Sequence, residues 1–114
     1  FIRRDGSLIQ FVPCSQRAWH AGASNWQGRK RCNDFSIGIE LEGSDTTPFT
    51  DAQYETLIAM TQCLCDHYPV RHIAGHSDIA HGRKTDPGPY FDWKRYEGGL
   101  NRGLIFRSAN NTPP

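Results

Sequence analysis

The sequence lacks features that would assign it to several common classes of protein. It has no run of about 18 apolar residues, so it predicts no membrane-spanning helix. It also has no excess of charge of either sign, because 13 Lys and Arg residues stand against 12 Asp and Glu residues, for a net charge of +1. This balance favours neither nucleic acid nor a membrane surface as a partner.

Cysteine is also scarce, with four residues at Cys14, Cys32, Cys63 and Cys65. Their spacing fits neither a disulfide framework nor a zinc finger. Cys63 and Cys65 stand two positions apart on a predicted helix, where such side chains point in different directions. We therefore expect four reduced thiols, which are typical of a reducing compartment.

The residues that are present suit one globular domain over 1–114. The chain is 37% hydrophobic and 22% charged, which predicts a folded protein with one modest core. No signal peptide is visible, yet the chain begins at Phe1, without Met and within a β-prone run. We expect an N-terminal segment to precede Phe1, so that this chain is the C-terminal portion of a longer domain.

The order of the predicted elements favours an α/β fold. Two β-prone runs flank the turn-forming Asp5-Gly6 and predict a hairpin. Alternating apolar residues predict a strand over 35–43, and the capping box that begins at Thr50 predicts a helix after it. A short strand over 70–75 and a short helix over 91–96 follow. Strands interleaved with helices predict a sheet with at least one helix-covered face.

The segment 75–89 carries most of the chemistry. It places the His76 imidazole, the Lys84 ammonium and the Asp86 carboxylate within eleven residues, on a stretch whose Gly and Pro content argues against a helix. Imidazole and carboxylate suit zinc, and a nearby ammonium can stabilise an oxyanion. The spacing indicates half of a metal-dependent hydrolase site. The plain alternatives are a backbone-bonded histidine and an ordinary Asp-Pro turn, and His81 is an alternative ligand by proximity.

Glu40 is the candidate base for such a site. It lies in the middle of the predicted strand 35–43, on the face opposite the apolar residues. A carboxylate there is either solvent-facing or directed into a cleft, and periodicity alone favours solvent. A metal hydrolase needs a base near its water, and a carboxylate that is not a ligand commonly supplies it. Glu42 is the alternative on the same face.

Trp19 and Arg31 are candidates for contacts with substrate. Both lie in the stretch 14–34, which has no clean periodicity, and a long loop in a small domain is often functional. Trp19 would either join the core or line a groove, and Arg31 would either clamp a carboxylate or remain solvated.

Four segments together resemble the type-2 N-acetylmuramoyl-L-alanine amidases. The resemblance runs from Phe1 to about Tyr96 and rests on the segments Arg17–Gly22, Cys32–Gly43, Thr50–Tyr54 and Gly75–Gly88. It implies a central mixed β-sheet flanked by α-helices, of which the N-terminal part is missing from this chain.

The resemblance also implies the roles of individual residues. It implies one Zn²⁺ held by His76, Asp86 and a further His upstream of Phe1. Glu40 falls at the general-base position and Lys84 at the position that stabilises the transition state. Trp19 and Arg31 match the wall of the family's substrate groove.

The function that this resemblance implies is hydrolysis of the amide bond between (1,6-anhydro)-N-acetylmuramic acid and the L-alanine of the stem peptide. Such an enzyme acts in peptidoglycan recycling in the bacterial cytoplasm on a small muropeptide, and we expect a monomer. Two alternatives share the fold: a module that binds muropeptide without cutting it, and a phage-type endolysin.

Overall fold

The computed structural model describes residues 1–13, 25–26, 29–30, 36–80 and 82–107. Within these ranges, seven elements follow one another: β1 (Asn25–Trp26), β2 (Arg29–Lys30), α1 (Asp51–His67), β3 (His72–Ile73), α2 (His76–Ile79), α3 (Trp93–Gly98) and β4 (Ile105–Phe106). No helix in these ranges is long and apolar enough to span a membrane.

Strand pairing is both parallel and antiparallel. β1 pairs with β2 in antiparallel register, and β3 pairs with β4 in parallel register, with His72 opposite Ile105 and Ile73 opposite Phe106. The sequence did not predict β4. The signal for it was the short apolar run Leu104–Phe106.

The predicted N-terminal hairpin is confirmed as a short one. The Gly6 N–H donates to the Arg3 carbonyl at 2.8 Å, and Gly6 takes a φ of +87°, which suits glycine in this turn. Ile2 forms an antiparallel bridge with Leu8 and a parallel bridge with Leu41. Ile2 therefore joins the N-terminal hairpin to the segment that contains Leu41.

The predicted strand over 35–43 is wrong in its length. Within its described residues, the pairing is confined to the Leu41 bridge, and Ile37 is 38% exposed. The Ile2 N–H donates to the Glu40 carbonyl, and the Ile2 carbonyl accepts from the Glu42 N–H. Ile2 is a single paired residue with one N–H and one carbonyl group, which is enough for a bridge, whereas a ladder needs several paired residues in succession.

Helix α1 confirms the predicted capping box. Thr50 Oγ1 accepts the Gln53 N–H at 3.1 Å, and Gln53 Oε1 accepts the Thr50 N–H at 3.0 Å. The Gln53 side chain is fully buried and also donates to the carbonyls of Ile2 and Glu42. One side chain thus caps the helix and attaches it to the N-terminal segments.

The core lies between α1 and α3. Its buried members are Ile2, Tyr54, Leu57, Phe91, Tyr96 and Leu100. Phe91 is at its centre, with its ring 4.9 Å from Trp93 and 5.5 Å from Tyr54, centroid to centroid. The short helix predicted over 91–96 is present as α3 but begins two residues later, at Trp93, with the Asp92 side chain accepting the Arg95 N–H at its N-cap.

Two of the four cysteines lie in the described residues, and both are free thiols as predicted. Cys63 is exposed and Cys65 is partly buried on α1. Cys14 and Cys32 lie outside the described residues.

Candidate active site

The prediction that segment 75–89 excludes a helix is wrong over four residues, since His76–Ile79 form the single-turn helix α2. The reason is local. The Asp78 carboxylate accepts the Gly75 N–H at 2.8 Å and thereby satisfies a backbone donor at the start of the helix. Helix α2 ends at Ile79, with Ala80 as its C-cap, and the Gly-rich and Pro-rich residues 82–89 are irregular. The result is that His76 stands at the first position of a helix.

His76 and Asp86 are brought together. His76 Nδ1 lies 3.2 Å from Asp86 Oδ2, and the His76 side chain is 15% exposed whereas that of Asp86 is 52% exposed. The backbones are joined as well, because the Ser77 N–H donates to the Asp86 carbonyl at 2.9 Å. Helix α2 and the Asp86 loop therefore form one unit with two convergent donor atoms.

The donor set of this pair fits zinc. Zinc binds imidazole nitrogen and carboxylate oxygen at about 2.0–2.2 Å, so two such ligand atoms on one tetrahedral ion are about 3.3–3.6 Å apart. The 3.2 Å between His76 Nδ1 and Asp86 Oδ2 is close to that separation. Within the described ranges, no third His, Cys, Asp or Glu joins the pair. His81, the alternative ligand, lies outside those ranges.

The two other catalytic candidates are exposed side chains. Lys84 is two residues before Asp86, and its N–H donates to the Ala80 carbonyl at the end of α2. Glu40 is next to the Leu41 bridge, and its carbonyl accepts from Ile2. The contact that joins His76 to Asp86 involves neither of these side chains. Trp19 and Arg31 lie outside the described residues.

A cavity of about 290 Å³ is lined by sequence neighbours of the pair, although neither His76 nor Asp86 is among its lining residues. Two of its lining residues, Ser77 and Thr85, adjoin His76 and Asp86 in the sequence. Its lining residues are Ser77, Thr85, Pro87, Gly88, Pro89, Phe91, Trp93 and Arg107. The core cluster thus forms part of the wall through Phe91, which links the site to the stable part of the fold.

Two carboxylates that sequence reasoning missed support the site loops. Asp45 Oδ2 accepts the Thr85 hydroxyl at 2.5 Å, and Asp78 pairs with Arg107. Each contact joins residues far apart in the sequence, so no spacing could have indicated it.

Comparisons with known proteins identify the family of the chain. The profile of the Amidase_2 family, described as N-acetylmuramoyl-L-alanine amidase, matches residues 1–89. The chain belongs to this family of amidases.

Within this family, the chain is similar to the AmpD amidases of two bacteria. The chain is 68% identical over 97 residues to the 1,6-anhydro-N-acetylmuramyl-L-alanine amidase AmpD of Enterobacter cloacae, which covers 83% of this chain and 52% of that protein. It is 61% identical over 111 residues to AmpD of Citrobacter freundii, covering 96% of this chain and 57% of that protein. The chain therefore spans about half the length of the curated relatives it matches.

Solved structures support the fold. A crystal structure of a selenomethionine AmpD derivative matches with a TM-score of 0.83 at 57% identity, covering 87% of this chain and 56% of that one. The AmiD amidase of Escherichia coli, in complex with the substrate anhydro-N-acetylmuramic acid-L-Ala-D-γ-Glu-L-Lys, matches with a TM-score of 0.76 at 38% identity, covering 85% and 41%. The predicted α/β fold of a type-2 amidase is confirmed.

Proposed function

We propose that the protein is a zinc-dependent amidase that cleaves the bond between N-acetylmuramic acid, including its 1,6-anhydro form, and the L-alanine of a stem peptide. The observation that carries this proposal is the convergence of His76 and Asp86 at 3.2 Å in a chain of the amidase family. The AmpD relatives and the AmiD complex with its anhydromuramyl peptide support the choice of substrate.

The metal would be held by His76 and Asp86 together with a further histidine from a segment upstream of Phe1. The pair supplies one nitrogen and one oxygen ligand, and a catalytic zinc ion usually has three protein ligands, so a third is needed. When bound, zinc lowers the pKa of water and polarises a carbonyl group.

Glu40 and Lys84 would carry out the proton and charge steps. Glu40 accepts a proton from the attacking water as the water adds to the carbonyl carbon joined to L-alanine. The Lys84 ammonium stabilises the negative charge that develops on the carbonyl oxygen. Glu40 then returns the proton to the alanine nitrogen as the carbon–nitrogen bond breaks, which releases a free stem peptide.

Trp19 and Arg31 would bind the substrate. A flat indole suits a sugar or peptide groove, and the Arg31 guanidinium suits a stem-peptide carboxylate, which it can bind with two hydrogen bonds. We place the enzyme in the bacterial cytoplasm, as a monomer that acts on small muropeptides during peptidoglycan recycling. The four free thiols expected from the sequence support that compartment.

Mass spectrometry of the reaction products tests the proposal. The full-length, zinc-loaded protein is incubated with 1,6-anhydro-N-acetylmuramyl-tripeptide, and we expect free tripeptide and anhydromuramic acid. A chelator should abolish the reaction and added Zn²⁺ should restore it. Binding without cleavage would instead identify a recognition module, and clearing of intact cell walls without action on the free muropeptide would identify an endolysin.

Glu40→Gln and Glu42→Gln form a matched pair that tests the base. Both side chains are exposed, but Glu42 Oε1 accepts the Arg4 N–H at 2.9 Å, which gives that carboxylate a structural contact. We expect Glu40→Gln to lower kcat by about 10²–10⁴-fold, the contribution of general-base catalysis, and Glu42→Gln to retain most activity. The reverse result would assign the base to Glu42.

A further inference from the structure

The orientation of His76 depends on contacts that helix α2 does not itself supply. A helix of four residues is too short to be stable alone, because nucleation is costly and few backbone hydrogen bonds follow it. Its N-cap residue, Gly75, has no side chain to cap the helix. The Gly75 N–H instead donates to Asp78 Oδ2 at 2.8 Å, so the Asp78 carboxylate fixes the first turn.

Asp78 is held in turn by Arg107. The Arg107 Nε donates to Asp78 Oδ2 at 3.1 Å, and Nη2 donates to Oδ1 at 3.2 Å, which is the two-point contact of a guanidinium with a carboxylate. The Asp78 side chain is 18% exposed and that of Arg107 is 48% exposed, so solvent reaches this pair mainly from the arginine side. Asp78 is therefore oriented on both sides, by a backbone N–H and by an arginine.

Arg107 is itself anchored to two other elements. Its N–H donates to the Ile73 carbonyl at 2.7 Å, at the end of β3 and two residues before Gly75. Its guanidinium carbon lies 5.0 Å from the centre of the Trp93 ring on α3. The arginine thus links β3, α2 and α3 at the point where the chain turns toward His76.

The space around Gly75 leaves little freedom for this unit. A Cβ at Gly75 would lie 2.8 Å from Pro87 Cδ and 3.2 Å from Trp93 Cζ2. Pro87 directly follows Asp86, so the start of α2 packs against the segment that carries the second ligand. A rotation of α2 would change the separation of His76 Nδ1 and Asp86 Oδ2.

We propose that Arg107 is a positioning residue for the zinc site. Through Asp78, it holds helix α2 in the orientation that brings His76 onto Asp86. The inference rests on the proposed zinc-dependent function. Neither Arg107 nor Asp78 touches the metal in this scheme, since both act on the backbone that presents the histidine.

The test compares zinc affinity and metal geometry in the full-length protein. Arg107→Gln removes the charge and the two-point contact, and the matched control Arg102→Gln removes a surface partner of Asp66 elsewhere in the fold. Zinc affinity is measured by competition with a chromogenic chelator, and ligand geometry is measured by the visible absorption of the Co²⁺-substituted protein. We expect Arg107→Gln to weaken zinc binding by about 10–100-fold and to shift the Co²⁺ spectrum, as loss of a ligand's supporting contact does.

Two further variants separate positioning from mere stability. Arg107→Lys keeps the charge but loses the two-point contact with Asp78. Relative to Arg107→Gln, we therefore expect it to recover more of the melting temperature than of the zinc affinity. Asp78→Asn keeps the side-chain shape and should repeat the zinc defect if Arg107→Gln does not fold. The positioning role of Arg107 is overturned if Asp78→Asn and every folded Arg107 variant bind zinc within about threefold of wild type and keep the Co²⁺ spectrum unchanged. That result would leave the proposed zinc-dependent function standing. A wild-type protein that binds no zinc overturns both proposals.

Discussion

The α1–α3 core and the segment 75–89 are held together by different kinds of interaction. The core is a cluster of buried apolar and aromatic side chains around Phe91. The site segment has few buried side chains and is fixed by polar contacts, such as Gly75 to Asp78 and Thr85 to Asp45. The difference teaches that stability and metal affinity should respond to different substitutions, because apolar burial supplies most folding free energy and polar contacts supply geometry.

The largest expected effect is on the core side of this comparison. Leu57 is 5% exposed within the cluster, and Leu57→Ala should lower the free energy of unfolding by about 2–5 kcal/mol, through lost burial and the cavity left behind. Chemical denaturation measures the change. Leu8→Ala is the matched control, since Leu8 is 45% exposed and should change stability far less. Equal losses in the two variants would contradict this description of the core.

A pH-dependent effect of intermediate size concerns Tyr96. Burial raises the pKa of its phenol to about 12, although the hydrogen bond with Thr61 Oγ1 at 2.6 Å opposes part of that rise. In the unfolded chain the phenol ionises near pH 10, so above that pH the unfolded state loses a proton that the folded state keeps. The stabilising contribution is complete below pH 10 and is lost between about pH 10 and 12.

Denaturation at pH 8.5, 10 and 11 measures this loss in the wild type and in Tyr96→Phe. We expect the wild type to lose up to about 1.4 kcal/mol more per pH unit than the variant between pH 10 and 11, which is the value of one proton. Parallel pH profiles would show that Tyr96 is not protected from ionisation by the fold.

The smallest effect on stability is expected on the site side. Thr85→Val removes the hydrogen bond to Asp45 from an exposed residue, so the free energy of unfolding should change by no more than about 0.5 kcal/mol. Zinc affinity should nevertheless fall, because Thr85 directly precedes Asp86. The fall should be less than about tenfold, because Thr85 does not contact the ligand atom. Thr46→Val, in the same loop as Asp45, is the control. A large stability loss with unchanged zinc affinity would reverse the comparison.

The features that the sequence predicted well are local in the chain. The capping box at Thr50 depends on residues three apart, and the turn at Asp5-Gly6 depends on adjacent ones. The pairing of His76 with Asp86 could also be predicted, because the two residues are only ten positions apart and a short irregular segment can fold back on itself. The family resemblance supplied the fold beyond these elements.

The features that were missed depend on contacts across the chain. Alternation over 35–43 predicted a strand, but a ladder also needs a partner, and Ile2 offers one residue of it. The one-turn helix at His76 depends on the Asp78 carboxylate, and that carboxylate pairs with Arg107 at the end of β4. No local pattern contains the information that Arg107 lies there. The metal-binding roles of His76 and Asp86 stay predictions, as do the roles of Glu40, Lys84, Trp19 and Arg31.

The parallel pairing of β3 with β4 has a consequence for the order in which the protein matures. During synthesis the two proposed ligands, His76 and Asp86, emerge from the ribosome before Ile105, Phe106 and Arg107 emerge. We therefore expect the nascent chain to acquire its metal poorly until the last strand has docked. A nonsense mutation at Arg107, or a carboxy-terminal tag that displaces Arg107 but leaves Leu104 and Phe106 packed on the core, should then yield a protein that folds its core yet loads zinc inefficiently.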